Sequence, residues 1–131
     1  MRMRVLHELI DIDASPEAVY DALVSSAVHE RLTGLRAEIL SRPGGMFVTC
    51  AGRCHGWNLV LVRGQRIVQA WADSSWPPDH YSLLRFEFVR SLRGTRLQVT
   101  QIGVPAFDFD RLASFWRSRY WESLRGMFGG R

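Results

Sequence analysis

Lysine is absent from this sequence, so all 17 basic residues are arginine, and with 13 acidic residues the formal net charge is +4. Without lysine the chain can form no lysine Schiff base and cannot hold a nucleotide phosphate through a P-loop lysine. The arginines are spread from Arg2 to Arg131 with no basic run. That distribution favours a solvated surface over a nucleic-acid-binding patch.

Long apolar runs and cysteines are also scarce. No stretch approaches the roughly 18 apolar residues that a membrane span needs. His7, Glu8 and Asp11 interrupt the N-terminal segment, which excludes a secretory signal peptide there. We therefore expect a cytoplasmic protein in which Cys50 and Cys54 are free thiols.

What is present is an ordinary globular composition, with 131 residues, 47% hydrophobic and 23% charged. A chain of this size buries about two-thirds of its unfolded surface, which is enough for a core without metals or disulfides. We expect one domain over residues 1–131.

The N-terminal region reads as one strand followed by two short helices. Branched residues predict a strand over Val5–Ile12. Ser15-Pro16-Glu17 supplies a helix start, with an N-cap, a proline in the first turn and an acid facing the helix dipole. A second helix is predicted over Ser26–Leu32, ending at Gly34.

From residue 37 to residue 103 the hydrophobic period is two, which is typical of strands. The short joints between the strands favour antiparallel hairpins. The predicted strands are Ala37–Ser41, Met46–Cys50, Cys54–Val62, Arg66–Ala72, Ser82–Ser91 and Thr95–Gly103.

A long helix is predicted from Asp108 to Met127, with one apolar face. On a regular α-helix that face holds Phe109, Leu112, Ala113, Trp116, Tyr120, Leu124 and Met127. Arg111, Ser114, Ser118, Glu122 and Arg125 occupy the polar side. Two residues do not fit: Arg117 must reach out to water from the apolar side, and Phe115, on the polar side, is either exposed or covered by another part of the chain.

This order of elements predicts an α+β fold of the helix-grip type. In it, a curved seven-stranded antiparallel sheet surrounds the long C-terminal helix, and two short helices follow the first strand. That arrangement covers the apolar faces of both sheet and helix.

An ordered set of short motifs runs through nearly the whole chain. They are Ile12-x-Ala14-Ser15-Pro16-x-x-Val19-Tyr20-x-Ala22-Leu23, Thr33-Gly34, Gly44-Gly45-x-Phe47, Gly52, Gly56, Ile67-Val68-Gln69-x-Trp71, Trp76-Pro77-x-x-His80-Tyr81-Ser82, Gly94-Thr95-x-Leu97, Gln101-x-Gly103-Val104-Pro105, Trp116 and Tyr120-Trp121. With them the chain resembles the AHSA family, named for the activator of the heat-shock-protein-90 ATPase. This family is a branch of the START-like, birch-pollen-allergen-like (SRPBCC) superfamily.

The resemblance implies several functions, of which fold alone selects none. The first is non-enzymatic binding of a small hydrophobic or lipid-like ligand in a cavity between the sheet and the C-terminal helix. The alternative is a protein-interaction or co-chaperone module linked to stress response. The second alternative is a small cyclase or dehydratase, for which His80 and His55 are the candidate bases.

Aromatic and amide side chains from sheet and helix are the candidate ligand-binding residues, at a pocket of about 300–1,000 Å³. They are Trp57, Gln69, Trp71, Trp76, His80, Tyr81, Phe86, Phe88, Gln101, Trp116 and Tyr120. Each ring has an equally simple interpretation as core filling. The loop around Trp76-Pro77-Pro78 is either a lid over the pocket or a structural corner.

No residue is predicted to be catalytic or to bind a metal or cofactor. Asp79 is adjacent to His80 along the chain and so cannot orient its imidazole. Cys50, Cys54 and His55 lack the second pair of ligands that a zinc site needs. The two thiols face each other if the turn between them is a hairpin, and neither lies at a helix N-terminus that would lower its pKa.

The exterior offers one candidate contact surface. A co-chaperone would use an exposed patch of apolar and arginine residues, for which Arg117, Trp121 and Arg125 are the candidates. Trp121, at the edge of the apolar helix face, is also the candidate contact of a homodimer.

Overall fold

A seven-stranded antiparallel sheet around one long helix is the framework of the computed structural model, which describes residues 1–130. The strands are β1 (Met3–Ile12), β2 (Glu38–Ile39), β3 (Met46–Thr49), β4 (Cys54–Val62), β5 (Arg66–Asp73), β6 (Ser82–Ser91) and β7 (Gly94–Pro105). The predicted helix-grip fold is confirmed.

The strand order across the sheet is β1-β7-β6-β5-β4-β3-β2. Strands β2 to β7 form a meander, because each pairs with the next along the chain. Short connections join them except between β5 and β6, where residues 74–81 form a longer loop. β1 lies at the far edge beside β7, with Val5 opposite Ile102. The sheet therefore has one long edge strand, β1, and one edge strand of only two residues, β2.

Two short helices, α1 (Pro16–Val24) and α2 (Ser26–Thr33), follow β1 as predicted. The Ser15 hydroxyl accepts a hydrogen bond from the Ala18 amide at 3.1 Å, which caps α1. Gly34 ends α2 in the left-handed conformation, with φ of 75°.

Strand ends differ from the prediction where turns take over the backbone hydrogen bonds. The segment predicted as Ala37–Ser41 pairs only at Glu38 and Ile39. Beyond them the chain turns back, and the Gly45 amide donates to the Arg42 carbonyl at 2.9 Å.

The C-terminal helix is irregular at its centre. It comprises α3 (Phe109–Phe115), a π-helical segment (Trp116–Trp121) and α4 (Glu122–Phe128). A π turn inserts one residue, so the residues beyond it rotate by about 100° relative to a regular α-helix. The prediction that Met127 lies on the apolar face is therefore wrong, since its side chain is exposed, whereas Trp121 is buried.

The core lies between the inner face of the sheet and the helices. Trp71 on β5 and Trp116 on the C-terminal helix are its largest fully buried side chains. Phe115 is half-buried and packs on Trp116 and Tyr120 of its own helix. Within residues 1–130 no helix has both the length and the apolar composition required to cross a membrane.

Candidate functional site

The cavity between sheet and helix is small, with a volume of about 20 Å³. It is lined by Leu23, His29, Ile39, Phe47, Thr49, Gln69, Trp71, Phe86, Trp116 and Tyr120. A void holding roughly one 1.4-Å probe sphere accommodates a single water molecule. It is more than tenfold smaller than the sites of about 300 Å³ or more that hold drug-sized ligands.

Aromatic rings fill the space where a larger pocket would lie. Trp116 stacks on Trp121 with ring centroids 5.3 Å apart and an interplanar angle of 12°. Its ring lies 4.7 Å from that of Tyr120 and 5.5 Å from that of Trp71. The π segment makes the stack possible, because its i to i+5 spacing brings residues 116 and 121 to the same side of the helix.

Polar side chains in this region point inward and bond to one another. Trp116 Nε1 donates to Gln101 Oε1 at 2.9 Å, and Gln101 Nε2 donates to the Ser82 hydroxyl at 2.9 Å. Gln69 Nε2 donates to Asn58 Oδ1 at 2.9 Å. Gln69 and Gln101 thus face the interior, as ligand contacts require, but these donors already have protein acceptors.

Six of the eleven predicted ligand-binding residues do not line this cavity: Trp57, Trp76, His80, Tyr81, Phe88 and Gln101. Trp57 and Tyr81 pack together on the outer face of the sheet, with ring centroids 5.2 Å apart. Phe88 is buried against Tyr20, at 5.7 Å between ring centroids. The cavity itself collects Gln69, Trp71, Phe86, Trp116 and Tyr120.

The loop that follows β5 packs on a separate cleft of about 180 Å³, which includes His55, Trp76, His80 and Tyr81. Trp76 is buried against Trp71, at 5.4 Å between ring centroids. The ring of His80 donates from Nε2 to the Gly103 carbonyl at 2.8 Å. The loop lines this cleft and is not part of the lining of the inner cavity.

A buried ion-pair network anchors that loop to the C-terminal helix. Arg111 donates to Asp108 at 2.6 Å and to Asp73 at 2.8 Å, and Trp76 Nε1 donates to Asp108 at 2.7 Å. Burial acts to raise the pKa of Asp108, but the hydrogen bonds from Arg111 and Trp76 outweigh it and leave that pKa below its ordinary value.

A second polar cluster, which the sequence did not predict, surrounds the hydroxyl of Tyr120. This oxygen lies 2.8 Å from His29 Nε2 and 3.3 Å from Cys50 Sγ, and all three residues are buried. The other ring nitrogen of His29, Nδ1, lies 3.0 Å from the Leu23 carbonyl. A carbonyl only accepts, so Nδ1 carries a proton. When the ring is neutral, Nε2 is then the acceptor of the Tyr120 proton.

Neither thiol lies at the N-terminus of an α-helix, but other neighbours lower the pKa of Cys50. The pKa of Cys50 is lowered to about 5. Its interaction with Cys54 is the largest cause, and His29 and Tyr120 add to the lowering, whereas burial opposes it. The pKa of Cys54, by contrast, is raised by its hydrogen bond to Cys50 and by burial. Of the two thiols, Cys50 thus has the lower pKa and is the one more readily deprotonated. The β3–β4 turn is a hairpin, and it brings Cys50 near Cys54 because Thr49, the residue before Cys50, pairs directly with Cys54.

The turn that carries Cys50 has unusual backbone geometry. Cys50 and Ala51 have φ of 52° and 56°, in the left-handed region that residues with a Cβ rarely adopt. Each such residue costs roughly 1–2 kcal/mol. Ala51 and Gly52 are exposed, whereas Cys50 is buried. His55, which was not predicted to bind zinc together with the two cysteines, packs on Tyr81.

The outer face of the sheet carries a continuous apolar row. Direct cross-strand pairing aligns six residues from six strands, in the order Met46, Trp57, Ala70, Leu83, Ile102 and Val5. At about 4.8 Å between strands the row is about 24 Å long. Leu83 and Ile102 are 44% and 50% exposed.

This row, which we call the outer apolar row, has the size of an interaction surface. Five of its side chains are at least one-third exposed. For large side chains of about 150–250 Å² each, this amounts to roughly 400 Å² of apolar surface. Contiguous patches of this size on a single chain often have a function. The predicted patch at Arg117, Trp121 and Arg125 is not formed, because Trp121 is buried; this also removes Trp121 as a dimer contact.

Comparison with known proteins places the chain in one family. The family profile described as "Activator of Hsp90 ATPase homolog 1-like protein" matches residues 13–129. The human activator of 90 kDa heat shock protein ATPase homolog 1 is 28% identical over 88% of this chain, which covers 34% of that relative. The chain thus spans about a third of the length of the curated relatives it matches.

Solved structures share the fold. An HSP90 activator from Plasmodium falciparum has a TM-score of 0.88 at 22% identity, with 99% of each chain covered. The Aha1 dimer from Colwellia psychrerythraea has a TM-score of 0.81 at 17% identity, with 97% of each chain covered. With the family profile matching from residue 13 to residue 129, this chain belongs to the family of activator of Hsp90 ATPase homolog 1-like proteins.

Proposed function

We propose that this chain is a co-chaperone domain that binds a 90-kDa heat shock ATPase and stimulates its ATP hydrolysis, in the cytoplasm and as part of a stress response. The carrying observation is the family match over residues 13–129 together with a cavity that has room for one water molecule. With so little space inside, the functional surface is an outer one.

The outer apolar row is the surface that we assign to this contact. It runs across six of the seven strands and combines an aromatic ring, Trp57, with branched and unbranched aliphatic side chains. Aromatic residues and methionine are enriched at protein interfaces. An ordinary interface buries about 800 Å² per partner, which is more than this single row exposes. Side chains in the flanking rows therefore contribute to the contact as well.

The test measures ATP hydrolysis by a purified 90-kDa heat shock ATPase with and without this chain, using the human relative as a positive control. Leu83→Glu places a charge in the middle of the row and should reduce stimulation and binding at least tenfold. Leu92→Glu is the matched control, because Leu92 is fully exposed on the β6–β7 turn, outside the row. Absence of stimulation by the unaltered chain refutes the proposal, and equal loss in both variants refutes the surface.

A second candidate is the binding of a small hydrophobic molecule between sheet and helix. The cavity supports it, since rings and the polar groups of His29, Thr49 and Gln69 line one space. A ligand larger than water requires the C-terminal helix to move outward. Native mass spectrometry of protein from its host and a thermal-shift screen of lipids and aromatic metabolites test it, because a bound mass or a rising melting temperature is the required result.

A second copy of the chain competes for the outer apolar row in this proposal, since one structural neighbour is described as a dimer. Light scattering of the unaltered chain and of Leu83→Glu distinguishes the partners. A monomer in both cases leaves the row free for the chaperone. A dimer that Leu83→Glu dissociates assigns the row to self-association.

A further inference from the structure

Two cysteines meet at the β3–β4 turn in a setting that co-chaperone activity does not use. We propose that Cys50 and Cys54 are a dithiol site that hydrogen peroxide oxidises reversibly to a disulfide, with Cys50 as the attacking thiol. The inference rests on the cluster around Tyr120, the adjoining cavity and the exposed turn, and it is independent of the proposed chaperone contact.

The hydrogen-bond chain from Cys50 through Tyr120 to His29 can move a proton. With the proton on sulfur, Cys50 donates to the Tyr120 oxygen and Tyr120 donates to His29 Nε2. With both protons shifted, His29 donates to Tyr120 and Tyr120 donates to the Cys50 thiolate. His29 Nδ1 keeps its proton toward the Leu23 carbonyl in both states. The proton that leaves Cys50 is thus held on His29, on the other side of Tyr120.

Space and access both favour a small oxidant. The cavity of about 20 Å³ is lined by Thr49, which precedes Cys50, and by Tyr120, whose hydroxyl lies 3.3 Å from Cys50 Sγ; neither cysteine is part of the lining. It accommodates a molecule near the size of water and excludes a bulky hydroperoxide or a peptide disulfide. Cys50 itself is buried, and the next two residues along the chain, Ala51 and Gly52, are exposed.

The chemistry balances without another cofactor. The Cys50 thiolate attacks one oxygen of hydrogen peroxide, an S–O bond forms and the O–O bond breaks. The leaving hydroxide takes the proton stored on His29 through Tyr120 and departs as water, which leaves a sulfenic acid on Cys50. Cys54 then attacks the Cys50 sulfur, so that the S–S bond forms, the S–O bond breaks and a second water departs with the Cys54 proton. Two thiols and one peroxide give one disulfide and two waters, and an external thiol reverses the step.

The test compares oxidants and folding states of the unaltered chain. Folded protein is treated with hydrogen peroxide or with cumene hydroperoxide, then unfolded, labelled with a thiol reagent and mapped by mass spectrometry. Hydrogen peroxide should join Cys50 to Cys54 with loss of two hydrogen atoms, reversibly with dithiothreitol, and cumene hydroperoxide should react roughly tenfold more slowly or less. From pH 8 to pH 6 the rate for the folded chain should stay within about twofold, whereas the urea-unfolded chain should slow about tenfold per pH unit.

Single variants assign the roles of the two thiols. Cys54→Ser should stop at a sulfenic acid on Cys50 that dimedone traps, and Cys50→Ser should leave Cys54 reduced. The inference is overturned if both thiols stay reduced in the folded chain under conditions that oxidise the unfolded chain, if the two peroxides react equally fast, or if Cys54 alone reacts. The comparison on the unaltered chain decides the matter even where a variant fails to fold.

Discussion

Removal of one hydroxyl group from Tyr120 tests how the buried polar cluster stabilises the fold. Tyr120→Phe keeps the ring that packs at 4.7 Å from Trp116 and deletes only the oxygen between His29 and Cys50. His29 Nε2 then has no donor in a buried site. A lost hydrogen bond contributes about 1 kcal/mol, and a buried unsatisfied group costs about 1–3 kcal/mol.

We therefore expect Tyr120→Phe to lower the free energy of unfolding by about 2 kcal/mol. For a chain of this length, that corresponds to a fall in Tm of about 8 °C. Urea and thermal unfolding followed by circular dichroism measure both quantities.

Tyr20→Phe is the matched control for this experiment. Tyr20 is also buried and also packs edge-on to another ring, that of Phe88, but its hydroxyl makes no hydrogen bond to the part of the chain that the structure describes. Its removal should change stability by less than about 0.5 kcal/mol. Equal stability of Tyr120→Phe and the unaltered chain would refute the role given to the cluster, and equal losses in the two variants would attribute the effect to the ring.

Further predictions concern backbone contacts and acid stability. Gly56→Ala should lower the free energy of unfolding, measured in urea, by about 3 kcal/mol, because a Cβ there collides with the Ala70 carbonyl of the neighbouring strand. Gly126→Ala, on α4, meets no neighbouring atom and should instead raise the free energy of unfolding by about 0.5–1 kcal/mol. A loss of stability in Gly126→Ala would contradict this contrast. Because its pKa is lowered in the folded state, Asp108 contributes stability above its ordinary pKa of 3.8 that is lost as the pH falls through the lowered value. Asp108→Asn should therefore be less stable than the unaltered chain at pH 7, and this difference in the free energy of unfolding should become smaller near pH 3. If the difference did not depend on pH, the ion pair with Arg111 could not be its cause.

Local features of the sequence were sufficient for most of the fold. The ends of β4 and β6 lie where alternation and turn residues predicted them, at Cys54–Val62 and Ser82–Ser91. The start of α1 was predictable for the same reason, because the Ser15 cap and Pro16 act within one helical turn.

Features that depend on distant contacts were not predictable. His29 and Cys50 lie 91 and 70 residues from Tyr120 along the chain, so no spacing rule connects them. Alternation gives two faces of β4 but does not say which is inside. The inner positions there are Cys54, Gly56 and Asn58, and Trp57 lies outside, although aromatic residues usually favour the core.

The π segment also bears on how this chain is to be aligned with its relatives. Positions before residue 116 and after residue 121 follow one helical phase each, and the two phases differ by one residue. A relative that lacks one residue between these positions would have a regular α-helix while keeping both flanks on the same side. In a sequence alignment, a single-residue gap in this segment therefore indicates a change from π-helix to α-helix. If the gap were placed in a neighbouring loop instead, every core position on one side of the π segment would be misaligned.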